Sequence, residues 1–146
     1  MNTPIVIEQA TTFSSSLTES VNTLLHQLNP NAYLLSDKDV QEMLDASTNE
    51  LFVAKDAEKI IGMITLITYR IPYAKKGILE DFVVDASYRG KGVGSDLIKT
   101  AMESAKEKNV KYIELTSNPT REKAREFYLH LGFVQRETNV YRFSLQ

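Results

Sequence analysis

The sequence predicts a single α+β domain over residues 1–146, built on a central mixed, mostly antiparallel sheet of about seven strands flanked by about four helices. Three observations carry that prediction. Short apolar, β-branched runs are interleaved with segments of helical period, in the order β α α β β β α β α β β. One helix follows a strand across a glycine-rich loop and leads into another strand, a βαβ crossover that makes one strand pair parallel. The chain of 146 residues is 42% hydrophobic and 25% charged, enough for one sizeable core and too short for a second.

The elements follow in order. PIVIEQ (4–9) is a first strand. Residues 13–28 place Phe13, Leu17, Val21, Leu24, Leu25 and Leu28 near helical spacing, and LNPNAY (28–33) breaks that helix with Pro30 and two asparagines. SDKDVQEMLDAS (36–47) is a short helix with Ser36 as N-cap. ELFVAKD (50–56) and KIIGMITLITYRI (59–71) form an antiparallel hairpin across a tight polar turn. IPYAKKG (71–77) is a break, and ILEDFVVD (78–85) is a strand. The helix starting near Val93 carries Val93, Leu97, Ile98, Ala101, Met102 and Ala105 on one face. VKYIELTS (110–117) is a strand, and PTREKAREFYLHLG (119–132) is a helix that Gly132 ends. FVQRET and NVYRFSL close the chain as two short strands.

The totals narrow the function. A net charge of −2 gives no support for non-specific binding to nucleic acid or acidic membranes, so any anion site must be a local concentration of positive charge. With no cysteine there is no disulfide, thiolate metal site or cysteine nucleophile, a usage that suits a reducing, cytoplasmic setting. MNTPIVIEQATTF lacks the basic start of a signal peptide, and the longest apolar stretch, Ile60 to Ile67, is too short to span a bilayer. His26 and His130 stand far apart, with no clustered ligand pattern for a metal.

The informative stretch is YRGKGVGSDL. Gly90, Gly92 and Gly94 alternate with Arg89, Lys91 and Val93 directly before a helix. The first N–H groups of a helix have no partner within it and carry partial positive charge. Glycines beside them let a bulky anion come close to the backbone. A phosphate or pyrophosphate fits, although a plain glycine turn has the same composition. The spacing is not that of a P-loop, which needs four residues between its glycines and then Gly-Lys-Ser/Thr. It also departs from the dinucleotide Gly-x-Gly-x-x-Gly, which follows directly on a first strand.

ILEDFVVDASYRGKGVGSDLI resembles motif A of the GNAT superfamily of N-acetyltransferases, with Arg89, Gly92 and Gly94 on its Arg/Gln-x-x-Gly-x-Gly/Ala core. SNPTREKAREFYLHLGF resembles motif B, with Asn118, Ala124, Phe127, Tyr128, Gly132 and Phe133 in place. The element order matches as well, so the resemblance covers most of the chain. It implies acetyl-CoA, or a related acyl-CoA, as donor and acetyl transfer to a primary amine. No metal is expected, and with no cysteine for a covalent relay, direct attack in a ternary complex is the economical mechanism. The pyrophosphate is then expected on the backbone of Gly90, Lys91, Gly92, Val93, Gly94 and Ser95, with Arg89 adding charge. The pantetheine arm is expected along the main chain of Phe82, Val83 and Val84, like an added strand. Buried strand is an equal reading of those three residues.

Tyr128 is the candidate general acid for the leaving thiolate; the alternative is a core tyrosine with its hydroxyl on a carbonyl. Glu80 is the candidate base. It stands two residues before Phe82 and so is expected on the same face, with Asp81 pointing the other way. It can equally bind the amine's charge. Asn118 is expected either on the pantetheine or as a helix cap, and Arg125 either at the 3′-phosphate or on a solvated face. Residues near Leu28–Leu35 and Tyr69–Lys76 are expected around the acceptor, with Tyr33, Tyr69 and Tyr73 as an aromatic wall. The acceptor is a small-molecule or peptide amine, with no nucleic acid or membrane partner; a homodimer is common in the family. The alternative function is a non-catalytic acyl-CoA-binding or sensing module on the same scaffold.

Overall fold

The structure, a computed structural model, describes residues 3–146. The chain divides into two compact units, one ending at Leu115 and one running from Thr116 to Gln146. The first holds β1 (Ile5–Ala10), α1 (Ser15–Leu28), α2 (Asp37–Asp45), β2 (Asn49–Asp56), β3 (Lys59–Arg70), β4 (Lys75–Val84), α3 (Val93–Glu107) and β5 (Ile113–Glu114). The second holds α4 (Glu122–His130).

The strands lie in the order β1-β2-β3-β4-β5, each pair antiparallel except β4 and β5, which run parallel across the α3 crossover. Local chemistry sets the boundaries. Ser14 accepts a hydrogen bond from the Leu17 N–H at 3.1 Å and starts α1. Ser36 and Asp39 form a reciprocal capping box at the start of α2, the cap expected from the sequence. Ala57, at φ +52, turns the β2–β3 hairpin.

Each face of the sheet is covered in this unit. On one, Leu51, Val53, Met63 and Val83 pack with Leu17, Val21 and Leu24 of α1 and Val40 of α2. On the other lies α3, whose Leu97, Ile98, Ala101 and Ala105 are all buried. Gly62 of β3 makes room for this helix, since a Cβ there would stand 3.1 Å from Leu97 Cδ1. The far end of α3 is fixed by charge. Glu50 of β2, only 9% exposed, accepts from Ser104 Oγ at 2.8 and 2.9 Å and pairs with Lys108.

Three expectations are corrected. The strand anticipated at 110–117 pairs only at Ile113–Glu114. The two closing strands, FVQRET and NVYRFSL, are not among the five strands of the sheet, and residues 133–146 carry no strand in the structure. A β-type pattern expresses fit to a pleated, half-buried surface, and it becomes a strand only where a partner supplies the ladder. Finally, α4 begins at Glu122 rather than at Pro119, because Asn118 closes a turn of its own first: its Oδ1 accepts from the Thr120 N–H at 3.0 Å, and its carbonyl accepts from Arg121 N–H at 3.0 Å. The stop was legible. Gly132 sits at φ +97, and Phe133 N–H returns to the Tyr128 carbonyl at 3.0 Å.

Leu97 is wholly buried between α3 and the sheet. Leu97→Ala is expected to lower stability by about 2–5 kcal/mol through lost transfer energy and a residual cavity. Urea denaturation of the two proteins measures it; a loss below about 1 kcal/mol would mean that α3 is not packed on the sheet as described.

Candidate active site

The strand that leads into the glycine loop is broken by a bulge. Thr65 of β3 stands opposite Glu80, whereas Met63 stands opposite Val83, so β4 has one more residue than β3 over this stretch. Asp81 takes up the excess in the left-handed region at φ +48, a conformation that aspartate tolerates better than most residues. The bulge overturns the expected facing of the carboxylates. Met63 and Thr65 share a face, so Glu80 and Val83 share it too, the face covered by α1 and α2. Phe82 turns the other way, toward Gly94 of α3. Glu80 and Phe82 therefore do not share a face.

The two carboxylates differ from ordinary surface acids. Burial pushes the Glu80 carboxyl up, and the neighbouring Asp81 charge pushes it further. Asp81 is raised by burial alone: its residue surface remains exposed, but protein crowds the carboxyl itself. Neither has an ion-pair partner among the described residues.

Before it reaches the bulge, β4 leaves β5 behind. The parallel ladder covers only Gly77 with Ile113 and Ile78 with Glu114. The β5-facing edge of residues 79–84 is thus outside the ladder, the arrangement that an added amide-bearing chain needs. Val83 is buried, and Val84 offers its carbonyl to Arg89 Nε at 3.0 Å.

The loop itself is anchored before it opens. Asp85 accepts from Ser87 N–H at 3.0 Å and Ser87 Oγ at 2.6 Å, and from Gln27 Nε2 of α1 at 3.0 Å. These donors, with Lys59 nearby, lower the Asp85 carboxyl to about 2. Gln27 Oε1 in turn accepts from the Ala86 N–H at 3.0 Å. The Tyr88 hydroxyl donates to Asp56 at the β2–β3 turn, and its ring carries Lys91 at 5.3 Å and Lys59 at 5.9 Å. Gln27, Asp56 and Asp85 are not among the site residues expected from the sequence. Asp85 left a faint signal, an aspartate two residues before a serine, the pattern of a local side-chain turn. Gln27 left none, because its partners lie 58 and 59 residues away.

The three glycines serve different ends. Gly90 at φ +78 and Gly92 at φ +84 adopt the left-handed region, and a Cβ at either would meet nothing within 4 Å, so both open onto free space. Gly94 is already inside the helix. A Cβ there would stand 2.9 Å from Phe82 Cζ, so this glycine serves packing. Gly92 is the N-cap of α3 and contributes no side chain, and the first helical hydrogen bond runs from Asp96 N–H to Gly92 at 3.1 Å. The N–H groups of Val93, Gly94 and Ser95 find no acceptor among the described residues. The loop thus offers three unmet donors at the positive end of a 15-residue helix, beside Arg89 and Lys91.

The remaining expected residues lie in the second unit. Tyr128 is half-buried on α4, its ring edge-on to Phe127 at 5.6 Å and to Phe133 at 5.9 Å. Burial pushes its phenol up, and Arg121 opposes this in part. Asn118 Oδ1 is taken by Thr120, and Arg125 sits mid-helix on α4. Tyr69 and Tyr73 flank the turn that starts β4, whereas the glycine loop leaves its other end, a ten-residue strand of roughly 33 Å away. There they hold cations: Lys76 lies over Tyr69 and Tyr112, and Lys111 over Tyr73. Tyr33, 95% exposed, belongs to the connection that leaves α1 just after Gln27. Among the described residues no group of three or more His, Cys, Asp or Glu could hold a metal, and no helix is long and apolar enough to cross a membrane.

Comparison with known proteins identifies the family. Residues 18–133 match the profile of the acetyltransferase (GNAT) family. The aminoalkylphosphonate N-acetyltransferase of Salmonella typhimurium is 29% identical over 123 residues, covering 81% of this chain and 79% of that protein. Six other curated relatives are matched over only 26–50% of their own length. Among solved structures, a transcriptional regulator from Bacillus halodurans C-125 superposes with a TM-score of 0.84 at 27% identity, covering 97% of this chain and 100% of that one. The aminoglycoside acetyltransferase AAC(6')-Iy, in complex with the bisubstrate analogue CoA-S-monomethyl-acetylneamine, shares the fold at a TM-score of 0.79 and 20% identity, covering 97% and 98%.

The lowered Asp85 carboxyl gives a pH signature. Its folded value, about 2, lies below the ordinary 3.8, so its stabilising effect is complete above 3.8 and lost as pH falls through 2. Asp85→Asn is therefore expected to be less stable than the parent at pH 6, with the difference shrinking between pH 3.8 and 2. Denaturant midpoints across that range measure it; a difference independent of pH would show that the charge of Asp85 plays no part.

Proposed function

Because this chain belongs to the acetyltransferase (GNAT) family, we propose that it moves an acetyl group from acetyl-CoA to a primary amine, by direct attack while both substrates are bound. The observation that carries the reading is the start of α3. Three backbone N–H groups without acceptors, framed by Gly90 and Gly92 over open space and flanked by Arg89 and Lys91, are a receptor for a diphosphate. The neighbouring edge of β4, unpaired with β5 beyond Ile78, offers the main chain of Phe82, Val83 and Val84 to the amide-bearing pantetheine arm. The AAC(6')-Iy complex contains a CoA conjugate, which supports this choice of donor.

The chemistry asks three things of the residues. An alkylammonium, with an ordinary pKa of about 10.4, must lose a proton before it can attack. Glu80 takes it, directly or through water; its carboxyl, raised by burial and by Asp81, is a better proton acceptor than an ordinary glutamate. Asp81 adds a second negative charge that favours a cationic acceptor. A backbone N–H of the bulged strand is the donor assigned to the thioester oxygen as charge builds there. Tyr128, its phenol raised and so protonated at neutral pH, supplies a proton to the departing thiolate. With no cysteine in the sequence, a thiol relay through the protein is unavailable. Arg125 is assigned to the 3′-phosphate, and the Asn118 amide to the pantetheine. The acceptor is a small-molecule or peptide amine entering beside the connection that carries Tyr33 and Leu34, both exposed.

Two variants test the donor site and the acid. Gly92→Ala places a methyl in the space reserved for the diphosphate; acetyl-CoA affinity is expected to fall more than tenfold, while the left-handed backbone costs stability only about 1–2 kcal/mol. Undiminished affinity in calorimetry would remove the loop from the donor site. Tyr128→Phe is expected to lower kcat about a hundredfold with acetyl-CoA affinity unchanged. Thiol release against a panel of amines reads this. Binding of acetyl-CoA with no thiol release from any amine would instead favour the non-catalytic acyl-CoA-binding module.

A further inference from the structure

The glycine loop is joined to α1 through one side chain. Gln27, in the last turn of α1, donates to Asp85 from Nε2 and accepts from the Ala86 N–H at Oε1, each at 3.0 Å. It thereby satisfies a charged acceptor and a backbone donor at the two residues where β4 gives way to the loop. The Asp85 carboxylate, through Ser87, sets the turn that delivers Tyr88 and Arg89. Two residues after Gln27, α1 ends at Asn29 and the connection to α2 begins. That connection is itself built back onto α1. Asn29 accepts from Asn31 and Ala32, and Asn22 holds Leu35 through both its N–H and its carbonyl, at 2.8 and 3.0 Å. Between these ties stand Tyr33 and Leu34, 95% and 67% exposed.

We propose that Gln27 is a positioning residue that fixes the cofactor loop against the end of α1, so that occupancy of the loop by the diphosphate is transmitted to residues 29–36. The inference rests on reading the loop as the acetyl-CoA site. A side chain bonded at once to the loop's first carboxylate and first amide resists any shift of the loop relative to α1. Ligand contacts that order the loop therefore order the helix end and the connection after it. Coupling of this kind is reciprocal, so a molecule that orders residues 29–36 also tightens the loop's grip on its anion.

The experiment uses the full chain and acetyl-CoA as probe. Calorimetry gives its affinity for the parent, Gln27→Ala and Gln27→Glu, each at pH 5.5 and pH 8, and hydrogen exchange reads residues 29–36 with and without acetyl-CoA. Gln27→Ala is expected to bind about tenfold more weakly, the loss of one hydrogen bond to a charged group and one to a backbone amide. Acetyl-CoA should slow exchange at residues 29–36 in the parent and no longer do so in that variant. Gln27→Glu separates positioning from folding. At pH 8 it sets a second carboxylate against Asp85, whose own value of about 2 keeps it ionised, with Lys59 as the cation near the pair and Asp56, bound by Tyr88, the next acid along the loop. Binding should then be weaker than in the parent. At pH 5.5 the new carboxyl takes a proton, donates to Asp85 and accepts from Ala86 as glutamine does, so affinity should return to within about threefold of the parent at that pH.

Thermal unfolding without ligand shows whether each variant is folded; if Gln27→Ala is not, the pH comparison in Gln27→Glu decides. Equal affinities for all three folded proteins would overturn the proposal, as would slowed exchange at residues 29–36 that survives in Gln27→Ala. Failure of the parent itself to bind acetyl-CoA would instead overturn the donor assignment, and with it this inference.

Discussion

The site depends on the contact between the Phe82 ring and Gly94. A methyl group at position 94 would lie 2.9 Å from the ring, closer than packed atoms stand, so the ring and the first turn of α3 can meet only because that residue has no side chain. The bulge at Asp81 turns Phe82 toward α3, and the contact then fixes where the helix begins relative to the edge of β4. At the other end of the helix, Lys108 and Ser104 are held by the nearly buried Glu50. With both ends fixed, the three unmet amides point from a rigid support.

The electrostatics are local by necessity. A chain with net charge −2 has no general field to attract a multiply charged anion. Positive potential is gathered instead at the helix terminus, Arg89 and Lys91. Asp85 stays ionised, its charge met by donors from Ser87 and Gln27. The bulge keeps the other acids separate. Glu80 is carried to the α1 face, whereas the ring of Phe82 occupies the α3 face. The Glu80 and Phe82 side chains are thus divided between the two faces of a single strand.

Much of this was legible in the sequence because it is local. The helix of α3 declares itself by its apolar period, the start of α2 by Ser36, the stop of α4 by Gly132, and the loop by glycines beside cations. Where the reading slipped, pairing was at stake. Residues 110–117 and 133–145 have strand-like composition, but a strand exists only with its neighbour, and a single-residue bulge reversed the facing of Glu80 without leaving a mark in ILEDFVV.

The amino-acid sequence alone determined the order of elements through α4, the glycine loop before α3 and the family resemblance, since each arises from residues a few positions apart acting through backbone geometry and period. Tertiary structure alone decided which glycine serves packing and which opens space, which face Glu80 takes, and that a glutamine 58 residues upstream braces the loop. Those facts are contacts between distant segments. Register and helix docking bring such segments together, and no local pattern encodes them.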